Sequence, residues 1–152
     1  MNERKIQKLS RTVVFTLTDG SQIQGDVFLR LYTQSHDSVQ RLGELLNDEG
    51  NHFIPVKTAT ETPVALLNLD HVVMVQTERQ IETEDWLVLG KNHPVSIKTF
   101  NQEPIEGEIY INLPNDSCRA KDFFNQHLKF FPLFQAEHVV YVNYRHILSV
   151  TD

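Results

Sequence analysis

The sequence predicts a mainly β fold of α+β type. Two small five-stranded barrels, each with one short helix inserted after its second strand, are expected to form a pair about an approximate two-fold axis. Three observations lead there. First, the 152-residue chain repeats itself. Ile23-Gln24-Gly25-Asp26-Val27-Phe28 returns as Ile105-Glu106-Gly107-Glu108-Ile109-Tyr110, Phe53-Ile54-Pro55 as Phe130-Phe131-Pro132, and Asn68-Leu69-Asp70-His71-Val72 as Asn143-Tyr144-Arg145-His146-Ile147. Such order-preserving repetition marks one structural unit used twice. Second, apolar and polar residues alternate at the start of each unit, the period of a half-buried strand. Third, Gly25 and Gly107 stand in mid-strand on the apolar face, where a glycine marks a bend or a close backbone approach, and a long strand bent at glycine turns the corner of a small barrel. The units are assigned to residues 11–76 and 95–152, with 77–94 a packed linker.

In the first unit Val13, Phe15 and Leu17 share one face of the opening strand. Thr18-Asp19-Gly20-Ser21 supplies a tight turn in which Gly20 takes positive φ. The second strand runs from about Gln22 to Tyr32, with Ile23, Gly25, Val27, Leu29 and Leu31 facing in and Gln24, Asp26, Phe28 and Arg30 facing out. A short helix capped by Asp37-Ser38 follows, with Leu42, Leu45 and Leu46 on its buried side. Asn47 is expected to leave it in the left-handed conformation. The stretch from Phe53 to Lys57 is a strand in which Pro55 lacks an amide donor, which places it at an edge or a bend. Two further strands, from Val64 to Leu67 and from Val72 to Gln76, flank a tight turn at Asn68-Leu69-Asp70-His71.

The second unit copies this plan. Ile105, Gly107, Ile109, Ile111 and Leu113 face in. A helix capped by Asp116-Ser117 carries Ala120, Phe123 and Phe124 and ends at Asn125, and Pro132 matches Pro55. The linker holds the acidic run Glu82-Thr83-Glu84-Asp85 and then Trp86-Leu87-Val88-Leu89. A free linker has no need of four such apolar residues, so this segment is expected to pack on the barrels.

Five short strands with a bent second strand and a tight last turn resemble an SH3-like small barrel. Val13-Val14-Phe15-Thr16-Leu17-Thr18-Asp19-Gly20 followed by Ile23-Gln24-Gly25-Asp26-Val27 resembles the first motif of Sm-like proteins, and Asp70-His71-Val72-Val73-Met74-Val75 is similar to the end of their second motif. The resemblance implies tandem Sm-like repeats. It does not carry RNA binding with it. RNA-binding members have an Asp and an Asn in the loop after the second strand and an Arg-Gly before the last. Here the second strand leads to Asp37-Ser38 and a helix, and Asn68-Leu69 and Asn143-Tyr144 stand in place of Arg-Gly.

Composition narrows the function classes. With 20 acidic and 14 basic residues the net charge is −6, which disfavours a phosphate-binding surface, because nucleic-acid affinity rests on cationic neutralisation. The single cysteine, Cys118, cannot form an internal disulfide and fits a reducing, cytoplasmic setting. No apolar run is long enough for a membrane span. The seven histidines lack the tight Cys/His pairs of a zinc site, and no phosphate loop, nucleophile elbow or dinucleotide fingerprint is present. The expectation is therefore a protein without catalytic residues, metal or cofactor that works as an interaction or assembly module for a protein partner. Units this small also favour packing on each other or a homo-oligomer. Two alternatives remain: single-stranded nucleic-acid binding in Sm-like or OB-like style, and a small-molecule or metal sensor at the junction of the repeats.

The candidate interaction surface consists of residues that recur in both units. Phe28 and Tyr110 are paired aromatics on the outer face of the bent strand, and aromatics anchor interfaces. Arg41 and Arg119 start the two helices, where a cation opposes the helix dipole, so a salt bridge to Asp37 or Asp116, or an external anion, is expected to hold them. Asn68 with His71, and Asn143 with His146, form Asn-x-x-His pairs in which the asparagine builds the turn.

Overall fold

A computed structural model of the chain describes residues 8–31, 39–58, 64–82, 90–100, 102–114 and 119–152. The first half contains β1 (Lys8–Leu17), β2 (Gln22–Arg30), α1 (Leu42–Asn47), β3 (Phe53–Thr58), β4 (Ala65–Asn68) and β5 (Val72–Glu78). A single turn of helix, α2 (Arg79–Glu82), follows directly. The second half contains β6 (Lys91–Thr99), β7 (Ile105–Ile111), α3 (Ala120–Phe124), β8 (Phe130–Phe134), β9 (His138–Asn143) and β10 (Ile147–Thr151). One 3₁₀ turn, Leu69–His71, joins β4 to β5, and another, Tyr144–His146, joins β9 to β10. Trp86 to Leu89 and both helix-capping pairs, Asp37-Ser38 and Asp116-Ser117, lie outside the described residues, and the helices begin after Arg41 and Arg119.

Among the described residues ten strands form one antiparallel sheet in the order β10-β6-β7-β8-β9-β5-β1-β2-β3-β4. Each half contributes five consecutive strands, and the two quintets run in the same sense. This corrects the expected two-fold relation. A two-fold axis would reverse one quintet and bring like edges together, whereas here unlike edges meet, β9 of the second half against β5 of the first.

The strand pairings of the two halves correspond position by position where their sequences are alike. Val13↔Gly25 and Phe15↔Ile23 between β1 and β2 return as Val95↔Gly107 and Ile97↔Ile105 between β6 and β7. Thr16↔Met74 and Leu17↔Val72 return as Lys98↔Ser149 and Thr99↔Ile147, with the register irregularity at the same place. Phe53↔Asn68 returns as Phe130↔Asn143.

The strand alternation fills two cores. Val13, Phe15, Val27, Leu29, Leu42, Leu46, Ile54 and Val56 build the first. Val95, Ile97, Ile109, Ile111, Phe123, Phe131 and Leu133 build the second. The mid-strand glycines serve close approach. A Cβ on Gly25 would lie 2.5 Å from Val56 Cγ1, and one on Gly107 would lie 2.7 Å from Leu133 Cγ and 2.8 Å from the Phe134 carbonyl oxygen. Gly20 takes the positive φ expected of its turn, 87°, and the Asp19 carboxylate accepts from Ser21 N and Oγ. Those hydrogen bonds from Ser21 hold the Asp19 pKa below its ordinary value.

The helix ends depart from expectation. Asn47 remains helical, its successor Asp48 has φ −64°, and Asn125 has φ −96°, so neither asparagine is left-handed. Both helices leave through extended or bridge backbone instead, and the Asn47 side chain is used elsewhere. Pro55 and Pro132 lie on strands paired along one side and touching β2 or β7 only at their ends, which fits their missing donor. No described helix is long and apolar enough to cross a membrane.

Candidate functional site

The two halves meet where β5 lies against β9. β5 pairs with β9 through five registered positions, Met74↔Val142 to Glu78↔His138. β8 and β9 are consequently buried on both faces. Phe131, Leu133, Val140 and Val142 point into the second core, while Phe130, Phe134, Val139 and Tyr141 point into the first.

A buried carboxylate ties the pieces together. Glu82, at the end of α2, is wholly buried. It accepts from the Arg11 guanidinium of β1, from Leu42 N at 2.9 Å and Gly43 N at 3.1 Å at the start of α1, and from the Tyr141 hydroxyl of β9. A buried charge is tolerated only when paired and hydrogen-bonded, and the orphan amides of a helix start welcome an anion. Burial first, and then the neighbouring Glu82 charge, push the Tyr141 pKa well above its ordinary value.

Asparagines close the junction on either side. Asn47 of α1 behaves like a short piece of strand. Its Oδ1 accepts from Lys129 N (2.9 Å) and Phe130 N (2.8 Å), and its Nδ2 donates to Phe130 O (3.1 Å). Asn143 of β9 donates to Leu69 O and Val72 O in the first half while its Oδ1 accepts from Arg145 N. The His146 ring lies 2.8 Å from the Asp70 carbonyl. On the far flank Arg79 donates to Gln135 O (2.9 Å) and lies over the Phe134 ring, which Tyr110 meets edge-on.

The structure thus draws Arg41, Tyr110, Asn143 and His146 from the sequence-derived surface into the junction. Tyr110 is half-buried, and its hydroxyl accepts from Arg79 at 3.3 Å. Arg41 is buried, with Glu44 as its ion-pair partner at 3.5 Å; Arg119 is exposed and pairs with Asp122 at 3.3 Å. Each arginine thus has a partner three residues on in its own helix, while the expected partners Asp37 and Asp116 lie outside the described residues. Phe28 is half-buried on β2, away from the junction, and the His71 ring is exposed. Asn68 caps its own turn by accepting from Asp70 N at 3.0 Å. The recurring residues therefore do not form one surface.

Sequence reasoning missed Arg11, Glu82 and the junction role of Asn47. Arg11 falls in phase with Val13 and Phe15 on the inward face of β1, and a cation in phase with core residues demands a buried anion; that was the available signal. Glu82 had none, since it stands in an acidic run that reads as solvated.

A groove of about 430 Å³ opens beside the junction, bounded by Arg41, Glu44 and Asn47 on one side and by Tyr110, Phe123 and Phe134 on the other. Among the described residues no group of three or more His, Cys, Asp or Glu is placed to hold a metal ion. Comparison with protein-family models, with curated proteins and with solved structures finds no match to the chain.

Proposed function

We propose that the chain is a non-enzymatic tandem of two SH3-like small barrels, similar to the Sm-like fold, that serves as an interaction or assembly module through its sheet edges. The identical five-strand order of the halves, their separate cores and the close approaches at Gly25 and Gly107 support the barrel reading. One observation carries the function. Among the described residues, the sheet ends at β4 and β10, and neither Ala65–Asn68 nor Ile147–Thr151 contains a charged residue or a proline. Edge strands present unpaired backbone donors and acceptors, and proteins that do not use them blunt them with charge or proline. Unblunted edges accept a partner strand. Beside β4 lies an apolar face of Phe53, Val64 and Leu66, all exposed.

The test is a photo-cross-linking residue placed at Leu66, with the exposed turn residue Ser21 as control, in the native host. A covalent protein adduct confined to position 66 is expected. Equal labelling at both positions, or none at Leu66, contradicts the reading.

The groove at the junction favours a second reading, a sensor of small amphipathic molecules, because its lining is mostly apolar with the Arg41 guanidinium at one side. Thermal-shift screening against metabolites checks it, and a ligand that stabilises the wild type but not Phe123→Ala supports it.

A further inference from the structure

We infer that the groove beside the junction binds a free α-amino acid with an aromatic side chain, its carboxylate on Arg41 and its ammonium on Glu44. This rests on the small-molecule reading of that groove and names the ligand's chemistry.

The groove carries one charge of each sign. Arg41 and Glu44 both line it. They stand three residues apart on α1, and their ion pair spans 3.5 Å, longer than the roughly 2.7–2.9 Å of a charge-assisted hydrogen bond. Both contacts of Glu44 use the same oxygen, Oε1, which also accepts from Arg41 N at 3.0 Å. Its Oε2 keeps the capacity to accept from a further donor. A guanidinium has several N–H donors in a fixed fork, so one acidic neighbour does not exhaust it.

The second half of the chain contains the same pair without a groove. Arg119 and Asp122 start α3 as Arg41 and Glu44 start α1, with 3.3 Å between them. The Arg119 side chain is 70% exposed, whereas that of Arg41 is 11% exposed. Water solvates an exposed pair, and its net worth is small. A pair set against aromatic rings loses that hydration, and other partners must replace it. A ligand with one anionic and one cationic group does so for both residues. A simple anion would suit Arg41 and be repelled by Glu44, and a simple cation the reverse.

The opposite wall selects the side chain. Tyr110 meets Phe134 edge-on with ring centroids 5.2 Å apart. Arg79 donates to the Tyr110 hydroxyl and lies over the Phe134 ring. Phe123 leans on Phe131 with centroids 5.6 Å apart. These rings are held by their own neighbours before any ligand arrives, which lowers the ordering cost of binding. Edges and faces held in this way favour a further aromatic ring. The volume of about 430 Å³ lies toward the lower end for small-molecule sites and suits one small molecule. Because α1 belongs to the first half and the rings to the second, the ligand bridges the halves, and its binding stabilises the fold by mass action.

Isothermal titration of the full-length chain tests this with three probes: L-phenylalanine, 3-phenylpropanoate, which lacks the ammonium, and 2-phenylethylamine, which lacks the carboxylate. L-phenylalanine should bind at a single saturable site, roughly tenfold or more tighter than either analogue, the worth of one hydrogen-bonded charge. Glu44→Gln, at a part-exposed position, should keep a native thermal transition and bind L-phenylalanine no better than 3-phenylpropanoate. Asn112→Trp, at an exposed residue lining the groove, should obstruct it and abolish binding while the protein still melts cooperatively. No saturable binding of L-phenylalanine, equal affinity for all three probes, or a preference that survives Glu44→Gln overturns the inference. If an analogue binds the wild type as tightly as L-phenylalanine and Asn112→Trp removes that binding, the small-molecule reading stands and the amino-acid assignment falls.

Discussion

Tyr141 and Glu82, 59 residues apart, share a hydrogen bond that reaches from the second half of the chain into the first. The carboxylate that accepts from Tyr141 also accepts from Arg11 and from the first amides of α1, so one side chain holds two sheet segments and a helix in register. Removing the phenol oxygen by Tyr141→Phe leaves Glu82 one donor short in a site closed to water. Its expected cost is about 1–3 kcal/mol of unfolding free energy. Glu82→Ala leaves the Arg11 charge buried without its partner and should cost more, about 3–5 kcal/mol. Urea unfolding checks both, read as a lower midpoint at unchanged slope.

The same contact has a pH signature. The folded Tyr141 pKa lies above its unfolded value of 10.0, so the folded protein holds this proton more tightly than the unfolded chain. The associated stability is complete below pH 10 and is lost as pH rises from there through the folded pKa. Wild type should therefore lose stability more steeply than Tyr141→Phe above pH 10, with parallel profiles at neutral pH. Parallel profiles throughout the alkaline range would remove the contact.

Asn47 and Asn125 occupy the same place in the two halves but have different partners. Asn47→Ala deletes three hydrogen bonds to the start of β8 and should cost about 1–3 kcal/mol, the penalty for leaving part-buried backbone groups unmatched. Asn125→Ala, which removes an exposed hydrogen bond to Lys121 O in its own helix turn, should leave stability nearly unchanged. Thermal melts of the two variants side by side decide it.

A methyl group at either mid-strand glycine must displace something. At Gly107 the Phe134 carbonyl oxygen stands 2.8 Å from the new Cβ position, whereas at Gly25 the nearest backbone atom is the Lys57 oxygen at 3.2 Å. Side chains yield more readily than backbone. Gly107→Ala should therefore be the more destabilising of the two, within the roughly 1–3 kcal/mol typical of overpacking. The order would reverse if Gly107 were only a flexible bend.

Local physics made the elements legible in the sequence. Alternation along 13–17, 23–29 and 105–111 gave strands and their inward faces. Asp19-Gly20 gave a turn, and the paired asparagines Asn68 and Asn143 gave two more. The arrangement of the halves was not legible, because a repeat fixes the likeness of two units without fixing which edges meet. That choice rests on where the copies differ: Tyr141 against Leu66, Arg11 against His93, and Glu82 with no visible signal at all. Phe130 and Phe53 read identically in sequence, yet one is buried at the junction and the other is open.

The proposed edge joining depends on the outer face of β3 and β4, where Phe53, Val64 and Leu66 stand exposed beside an edge strand without charge or proline. A photo-cross-linking residue at position 66 in the native host, measured beside the same residue at Ser21, tests this directly. A protein adduct confined to position 66 is predicted. Equal adducts at both positions, or none at position 66, would contradict it.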